Sequence, residues 1–250
     1  MPTHLDLFSG IGGFALAAQW TGWQTIGFSE IDPYACKILK QLWPSIPNYG
    51  DIRNIKGIRA DLVTGGFPCQ PFSVAGKRRG SSDDRALWPE MLRVIADTQP
   101  TWILAENVPG IISLELDDVL SDLGSIGYAS EPIVIPACAM GPDQYRGRVW
   151  IVGAPIHSNT NGNGLQRCFK QSEKVSVTWS RIEFERLVQV SLQRGVPSRR
   201  GGGISDGISN RSHRLKGLGN AIVPQVAAQI LGWMRGCMDD TYNSTRHKIA

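Results

Sequence analysis

Cysteine and histidine are scarce in this chain, and neither is clustered. The five cysteines, at 36, 69, 138, 168 and 237, are odd in number with no close pair, which argues against a disulfide framework and a C-x-x-C zinc site. The four histidines, at 4, 157, 213 and 247, are equally scattered, so no metal site is expected. No apolar stretch approaches membrane-spanning length and no N-terminal signal pattern is present. A soluble, cytoplasmic chain is expected. Internal repeats are absent as well.

With 250 residues and an apolar share of 42%, the chain suffices for one large α/β domain, or for a domain of about 150 residues and a smaller one. Its net charge of +4 is unevenly spread. Residues 167 to 216 hold eleven Lys/Arg against four Asp/Glu, or +7, and the remainder fifteen against eighteen, or −3. A basic block on a mildly acidic body is either a solvated surface or the footprint of a polyanionic partner, most simply nucleic acid.

Between residues 4 and 154 short apolar runs alternate with amphipathic ones. HLDLF (4–8), QTIGFS (24–29), ADLVTGG (60–66), TWILAE (101–106), EPIVIPA (131–137) and RVWIVG (148–153) predict strands; 13–21, 33–42, 86–97 and 115–124 predict helices. The alternation predicts βαβ units and a mostly parallel sheet covered on both faces, with ligands bound outside the carboxyl ends of the strands. HSNTNGNG (157–164) then reads as a loop or linker, and 165–212 as a small irregular region with the basic excess and a glycine run at 201–203. GNAIVPQVAAQILGWMRG (219–236) restores apolar periodicity and predicts a final helix, starting near Val223 to Gln225, that docks back on the first domain. The last dozen residues are expected to fray.

DLFSGIGGF (6–14) is a strand, a glycine-rich turn and a helix start, where the backbone can approach a ligand closely and a helix end offers N–H groups. Its G-x-G-G spacing lacks the third glycine of the dinucleotide fingerprint. Glu30, at the end of the second strand, can accept hydrogen bonds from both hydroxyls of a ribose, while Asp32 before Pro33 fits the N-cap of the next helix. Asp51 in GDIRNI is a third polar group at the same edge of the sheet. Cys69 follows DLVTGGF at a strand's carboxyl end, with Gly65 and Gly66 before it and Pro68 and Pro71 flanking Cys69 and Gln70. A packed structural thiol needs no such frame, whereas a displayed nucleophile does. Glu106 in ENVPG (106–110) also ends an apolar strand; it either caps the next turn or, desolvated, holds a proton near neutrality. In QYRGR (144–148) an extended chain puts Gln144, Arg146 and Arg148 on one face. Two guanidinium groups there suit an anion or a carbonyl edge of a base, unless the segment is a solvated edge strand.

Taken in order, DLFSGIGGF, SEIDP, GDI, GGFPCQPFS, ENVPG, QYRGR and LGNAIVPQVA closely resemble the ordered motifs of DNA (cytosine-5) methyltransferases, over residues 1–154 and 214–235. The resemblance implies an α/β fold: a Rossmann-like S-adenosylmethionine-dependent methyltransferase sheet with a small irregular target-recognition region. It divides the chain into a catalytic and cofactor-binding domain (1–155), a target-recognition region (156–212) and a C-terminal segment returning to the catalytic domain (213–250). It implies S-adenosyl-L-methionine bound at Phe8, Gly10, Ile11, Gly12, Glu30, Asp51, Ile52 and Pro68, with Asn220 and Ala221 closing the pocket. It implies catalysis by Cys69, with Glu106, Arg146 and Arg148 around the target base. Double-stranded DNA would be the partner of a monomer, contacted by Gln70, Ser73, Lys77, Arg78, Arg79 and Arg85. The chain departs from the family in its short target-recognition region and in Ala75, which stands where some relatives push a side chain into the emptied duplex. The arginine motif expected after that region is not recognisable, unless SRIEFERL (180–187) or SNRSHRLKGLGN is its remnant. Compact forms of this kind resemble phage or prophage methylases.

The chemistry follows from the base itself. Cytosine C5 is a poor nucleophile, so a thiolate adds first at C6 and turns C4–C5 into an enamine. That addition needs N3 protonated or strongly hydrogen-bonded, the role of Glu106, while Arg148, with Arg146, holds the O2 edge and favours the thiolate. C5 then takes the methyl group, a base removes the C5 proton, and Cys69 is eliminated. C6 cannot be reached inside a stack, so the base must leave the duplex, and SVAGKRRGSSDDRA (73–86) could close over it and touch phosphates. The same residues would serve an RNA cytosine-5 methyltransferase. A catalytically silent DNA-binding or anti-restriction module could keep the fold, but intact PCQ, ENV and QYRGR argue against it. A nicotinamide dehydrogenase, suggested by GIGG alone, lacks a proton relay.

Overall fold

The computed structural model describes residues 1–68, 87–136, 147–156 and 222–246. The strands are β1 (Thr3–Leu7), β2 (Gln24–Ser29), β3 (Leu62–Gly65), β4 (Trp102–Asn107), β5 (Tyr128–Pro136) and β6 (Gly147–Pro155). They form one sheet in the order β2-β1-β3-β4-β6-β5. The helices among the described residues are α1 (Gly13–Trp20), α2 (Pro33–Leu42), α3 (Trp88–Thr98), α4 (Ile111–Leu114), α5 (Leu116–Ser125) and α6 (Pro224–Arg246). This is the expected Rossmann-like α/β arrangement.

β1 pairs in parallel with β2 and β3, and β3 with β4. Among the described strands β6 alone runs against the rest, antiparallel to both β4 and β5. Ten residues separate Pro136 from Gly147, too few for the crossover that a parallel neighbour needs. β5 starts at Tyr128, three residues before the expected start, where the Tyr128 hydroxyl donates to the Pro100 carbonyl at 2.8 Å. Its Pro132 and Pro136 suit an outer strand, where a missing N–H breaks no ladder on the open side.

The central strands are largely apolar because both faces of the sheet are covered, and the buried polar exceptions His4, Asp6 and Thr64 bond to one another. Along β4 the alternation divides them: Ile103 and Ala105 join Leu5, Leu7, Val63, Val149 and Ile151 in a core shared with α3 and α5. Trp102 and Leu104 join Leu62, Trp150 and Val152 in a second core shared with α1 and α6. On α6 the buried residues Val226, Ala227, Ile230, Leu231 and Met234 recur at helical spacing. Trp23 Nε1 donates to the Leu231 carbonyl at 3.2 Å, tying the helix to the turn after α1. The final helix thus begins within the expected residues, with Pro224 at the position where its missing N–H costs nothing. It does not fray where expected: residues 237–246 hold neither glycine nor proline, and the helix continues to Arg246. The expected target-recognition region lies, Ile156 apart, outside the described residues.

Candidate active site

β1 to β4 all end at one edge of the sheet, and β6, running the other way, starts there. Phe8, Glu30, Gly66, Glu106 and Arg148 are brought to that edge by topology alone.

The turn after β1 is built on left-handed backbone: φ is +51° at Phe8, +53° at Gly10 and +86° at Gly12. A phenylalanine in that region stores strain of the kind found where a ligand is held. Gly12 has no substitute, because a Cβ there would run into the Trp43 ring. Its neighbour Gly10 has no atom within 4 Å of an added Cβ, so the turn is open above it. α1 receives no side-chain cap from Gly12 and has no acid in its first turn. Instead the carboxyl group of Asp6, fully buried in β1, faces the Ala15 N–H. Burial pushes the Asp6 pKa well above the usual carboxylate range, with Glu30 adding to it and hydrogen bonds from Thr64 and Ala15 opposing it.

Glu30 closes this turn. Its Oε2 accepts from the Gly10 N–H at 2.7 Å, and its Oε1 accepts from the N–H groups of Ile31 at 2.8 Å and Asp32 at 2.7 Å. Asp32 caps α2 as expected, accepting from Tyr34 N at 2.9 Å and Ala35 N at 3.0 Å. Asn48 pairs in parallel with Phe28, so the chain from Pro47 to Gly50 runs outside β2 and delivers Asp51 beside Glu30. Asp51 Oδ1 accepts from Arg53 N at 3.0 Å and starts a short 3-10 turn, Ile52–Asn54. The Ile52 side chain, 2% exposed, belongs to the core with Leu5 and Val63, so only its backbone can face a ligand. These groups fit a nucleoside. A carboxylate can accept about four hydrogen bonds, and Glu30 spends three on the backbone, leaving acceptor capacity beside an open glycine turn.

The second half of the edge carries acid and cation. Glu106 lies opposite Trp150, and Arg148 is the diagonal neighbour on the same face. Arg148 Nε meets Glu106 Oε1 at 2.7 Å, with the side chains 15% and 10% exposed. Arg148 Nη1 also donates to the Gly147 carbonyl at 2.7 Å. The other Glu106 oxygen, Oε2, is 3.5 Å from where a Cβ on Gly66 would stand. Ile222, the first described residue after Asn220 and Ala221, is 3.9 Å from that same point and packs against Gly13 on its other side. The carboxylate, the loop leading to Cys69 and the returning C-terminal segment therefore converge.

Capping of the turn after β4 falls to Asn107, whose Oδ1 accepts from Val108 N at 2.8 Å. The buried Asn107 also donates from Nδ2 to the Phe67 carbonyl at 3.1 Å, two residues before Cys69. Sequence reasoning passed over it; the signal was an amide directly after an acid at a strand's end. Of the other expected site residues, Phe8 and Ile11 are half-buried in the glycine turn and Pro68 is exposed at its loop. Cys69, Gln70, Ser73, Lys77, Arg78, Arg79, Arg85, Arg146, Asn220 and Ala221 lie outside the described residues. Among the described residues no group of three or more His, Cys, Asp or Glu could hold a metal ion, and no helix is long and apolar enough to cross a membrane.

The profile of a family described as C-5 cytosine-specific DNA methylase matches residues 3–193. The chain is 32% identical over 203 residues to the Type II methyltransferase M.HgiBI of Herpetosiphon aurantiacus, covering 77% of this chain and 46% of the relative. It is 39% identical over 158 residues to M.HgiCII of the same organism, covering 60% and 36%. The chain thus spans about half the length, or less, of these curated relatives. Among solved structures, a protein described as a DNA modification methyltransferase encoded within a prophage (E. coli) matches with a TM-score of 0.53 and 28% identity, over 62% of this chain and 47% of that one. A family match of this extent, on a fold that gathers the motifs at one edge, settles membership: the chain belongs to the C-5 cytosine-specific DNA methylases.

Proposed function

We propose that this chain transfers a methyl group from S-adenosyl-L-methionine to C5 of a cytosine flipped out of duplex DNA, through a covalent bond between Cys69 and C6. The observation that carries this reading is the pair of Glu106 and Arg148, 2.7 Å apart and both largely buried, beside the loop that leads into Cys69. A polar edge of a base entering this site meets an acid and a cation held in one orientation, which favours charge developing on the ring.

The Cys69 thiolate forms the bond to C6, and the electron pair of the C5–C6 bond moves into the ring as Glu106 gives a proton to N3. Arg148, joined by Arg146, holds the O2 edge. S-adenosyl-L-methionine, when bound, supplies an electrophilic methyl group to the resulting enamine carbon. Loss of the C5 proton to a base then expels Cys69 as thiolate, and the N3 proton returns to Glu106 as the aromatic ring is restored. Glu30 would accept from ribose hydroxyls, with Phe8, Gly10, Ile11 and Gly12 beneath and Asp51, the Ile52 backbone and Pro68 around them. Asn220 and Ala221 would close the pocket. Gln70, Ser73, Lys77, Arg78, Arg79 and Arg85 would contact DNA from the segment after the nucleophile, with 156–212 choosing the sequence.

Incubation with methyl-labelled cofactor and mixed-sequence duplex DNA, followed by digestion to nucleosides, tests the reading. Label in 5-methylcytosine is expected. Label absent from DNA, or found only in competing transfer RNA, overturns it.

A further inference from the structure

Asn48 is an exposed residue whose side chain nonetheless uses every polar position it has. Oδ1 accepts from the Glu30 N–H at 3.1 Å and from the Gly50 N–H at 3.1 Å. Nδ2 donates to the Glu30 carbonyl at 3.0 Å and to Cys36 Sγ at 3.2 Å. The carboxamide therefore pairs with both backbone groups of Glu30, as a neighbouring strand would. Its orientation is set by its partners, since a turned amide would point its own N–H groups at those of Glu30 and Gly50. The Cys36 thiol reinforces the arrangement by donating to the same Glu30 carbonyl at 3.2 Å.

The consequence reaches both acids of the nucleoside half of the site. With its peptide held on both sides, Glu30 keeps its carboxylate on Gly10. Gly50, the residue before Asp51, is tied to the same amide, and its carbonyl accepts from Ser29 Oγ at 2.8 Å. One side chain thus fixes the spacing between Glu30 and Asp51. Main-chain bonds join this segment to β2 independently of the amide: Phe28 N to Pro47 O and Tyr49 N to Phe28 O, both 2.9 Å.

We infer that Asn48 is a positioning residue for the cofactor, holding Glu30 and Asp51 at the separation a bound nucleoside requires. This rests on the reading of Glu30 as the acceptor of ribose hydroxyls. Asn48→Ala removes all four bonds. Asn48→Asp keeps the acceptor but sets an anionic oxygen against the Glu30 carbonyl. S-adenosylhomocysteine is titrated calorimetrically into the full chain, both Asn48 variants and Glu30→Gln, with ligand-free melting temperatures measured in parallel.

Binding about tenfold weaker is expected in both Asn48 variants. KM for S-adenosyl-L-methionine rises in the same proportion, kcat at saturating cofactor stays, and the melting temperature hardly moves. A purely structural residue would instead lower the melting temperature and leave KM unchanged. If Asn48→Ala melts below the assay temperature, Asn48→Asp carries the comparison. Unaltered affinity in Asn48→Asp, alongside weakened binding in Glu30→Gln, overturns the inference alone. No binding by the unsubstituted chain overturns the cofactor reading and the inference with it.

Discussion

Arg148 Nε sits 2.7 Å from Glu106 Oε1, joining two strands that run in opposite directions. Removing one member of such a pair strands the other charge in a site with little water, whereas replacing both does not. Glu106→Gln keeps the shape and deletes the proton donor, so methyl transfer should fall by about 10²- to 10⁴-fold while cofactor affinity stays. Arg148→Met alone should destabilise by on the order of 3 kcal/mol. The double variant, Glu106→Gln with Arg148→Met, should recover much of that stability and none of the activity. Urea titrations and single-turnover assays on the same samples check both halves. Additive stability losses would show that the two side chains do not act as a pair.

In the proposed mechanism the covalent step depends on Cys69. A duplex carrying 5-fluorocytosine at the target lets the thiolate add to C6 but offers no C5 proton to lose, so the adduct cannot resolve. The unsubstituted chain should therefore form a denaturation-resistant complex with this DNA when cofactor is present, and Cys69→Ala should form none. Gel mobility under denaturing conditions gives the answer directly. A complex retained by Cys69→Ala would assign the nucleophile elsewhere.

Asn107 holds the loop that leads to the proposed nucleophile, through the 3.1 Å bond from its Nδ2 to the Phe67 carbonyl. Asn107→Ala leaves that carbonyl without its partner and should cost about 1–3 kcal/mol of stability. It should also loosen the placement of Cys69, where a small displacement weighs heavily on rate, so kcat should fall by roughly tenfold or more. KM for cofactor should change little. Equal loss in Asn107→Asp, which cannot donate from that position, would confirm that the donated bond is what matters. Stopped-flow methylation with thermal melts checks this, and a kcat within twofold of the unsubstituted value would refute it.

The difference between what could and could not be read from residue order is instructive in these same groups. β1 to β4 were legible because strands covered on both faces are mostly apolar, and the glycine turn because left-handed backbone favours glycine. Arg148 was legible by the period of two. That Glu106 is its partner was not, because it requires β6 to insert between β4 and β5. Ile52 shows another limit: a motif gives a position in the chain, while the direction of the side chain is decided by packing, here into the core. Asn48, Asn107 and Asp6 work through backbone N–H or carbonyl groups, most of them far away in sequence, and no composition or periodicity reports which backbone group a side chain will reach.

His4 gives the fold a pH dependence of defined sign. It is fully buried in β1, with Nδ1 2.9 Å from Thr25 Oγ1 and Nε2 2.8 Å from Thr64 Oγ1, and burial lowers its pKa to about 3. In the unfolded chain the imidazole has its ordinary value near 6.5. Between those values the unfolded state binds the extra proton, so the contribution of His4 is complete above 6.5 and is lost as pH falls, at up to about 1.4 kcal/mol per pH unit. Asp6 acts in the opposite sense: its folded pKa is raised, so its contribution is complete below the ordinary carboxylate range and is lost as pH rises. The two slopes overlap on the acid side and oppose each other there. His4→Gln retains hydrogen-bonding groups for the threonines and cannot titrate, so comparing it with the unsubstituted chain isolates the imidazole. Urea midpoints at pH 4.5, 5.5, 6.5 and 7.5 should show the unsubstituted chain losing ground to His4→Gln at each step below 6.5. Parallel profiles would mean that His4 takes up its proton at the same pH folded and unfolded, and a gain over His4→Gln on acidification would mean that the fold holds the proton; either result overturns the assignment.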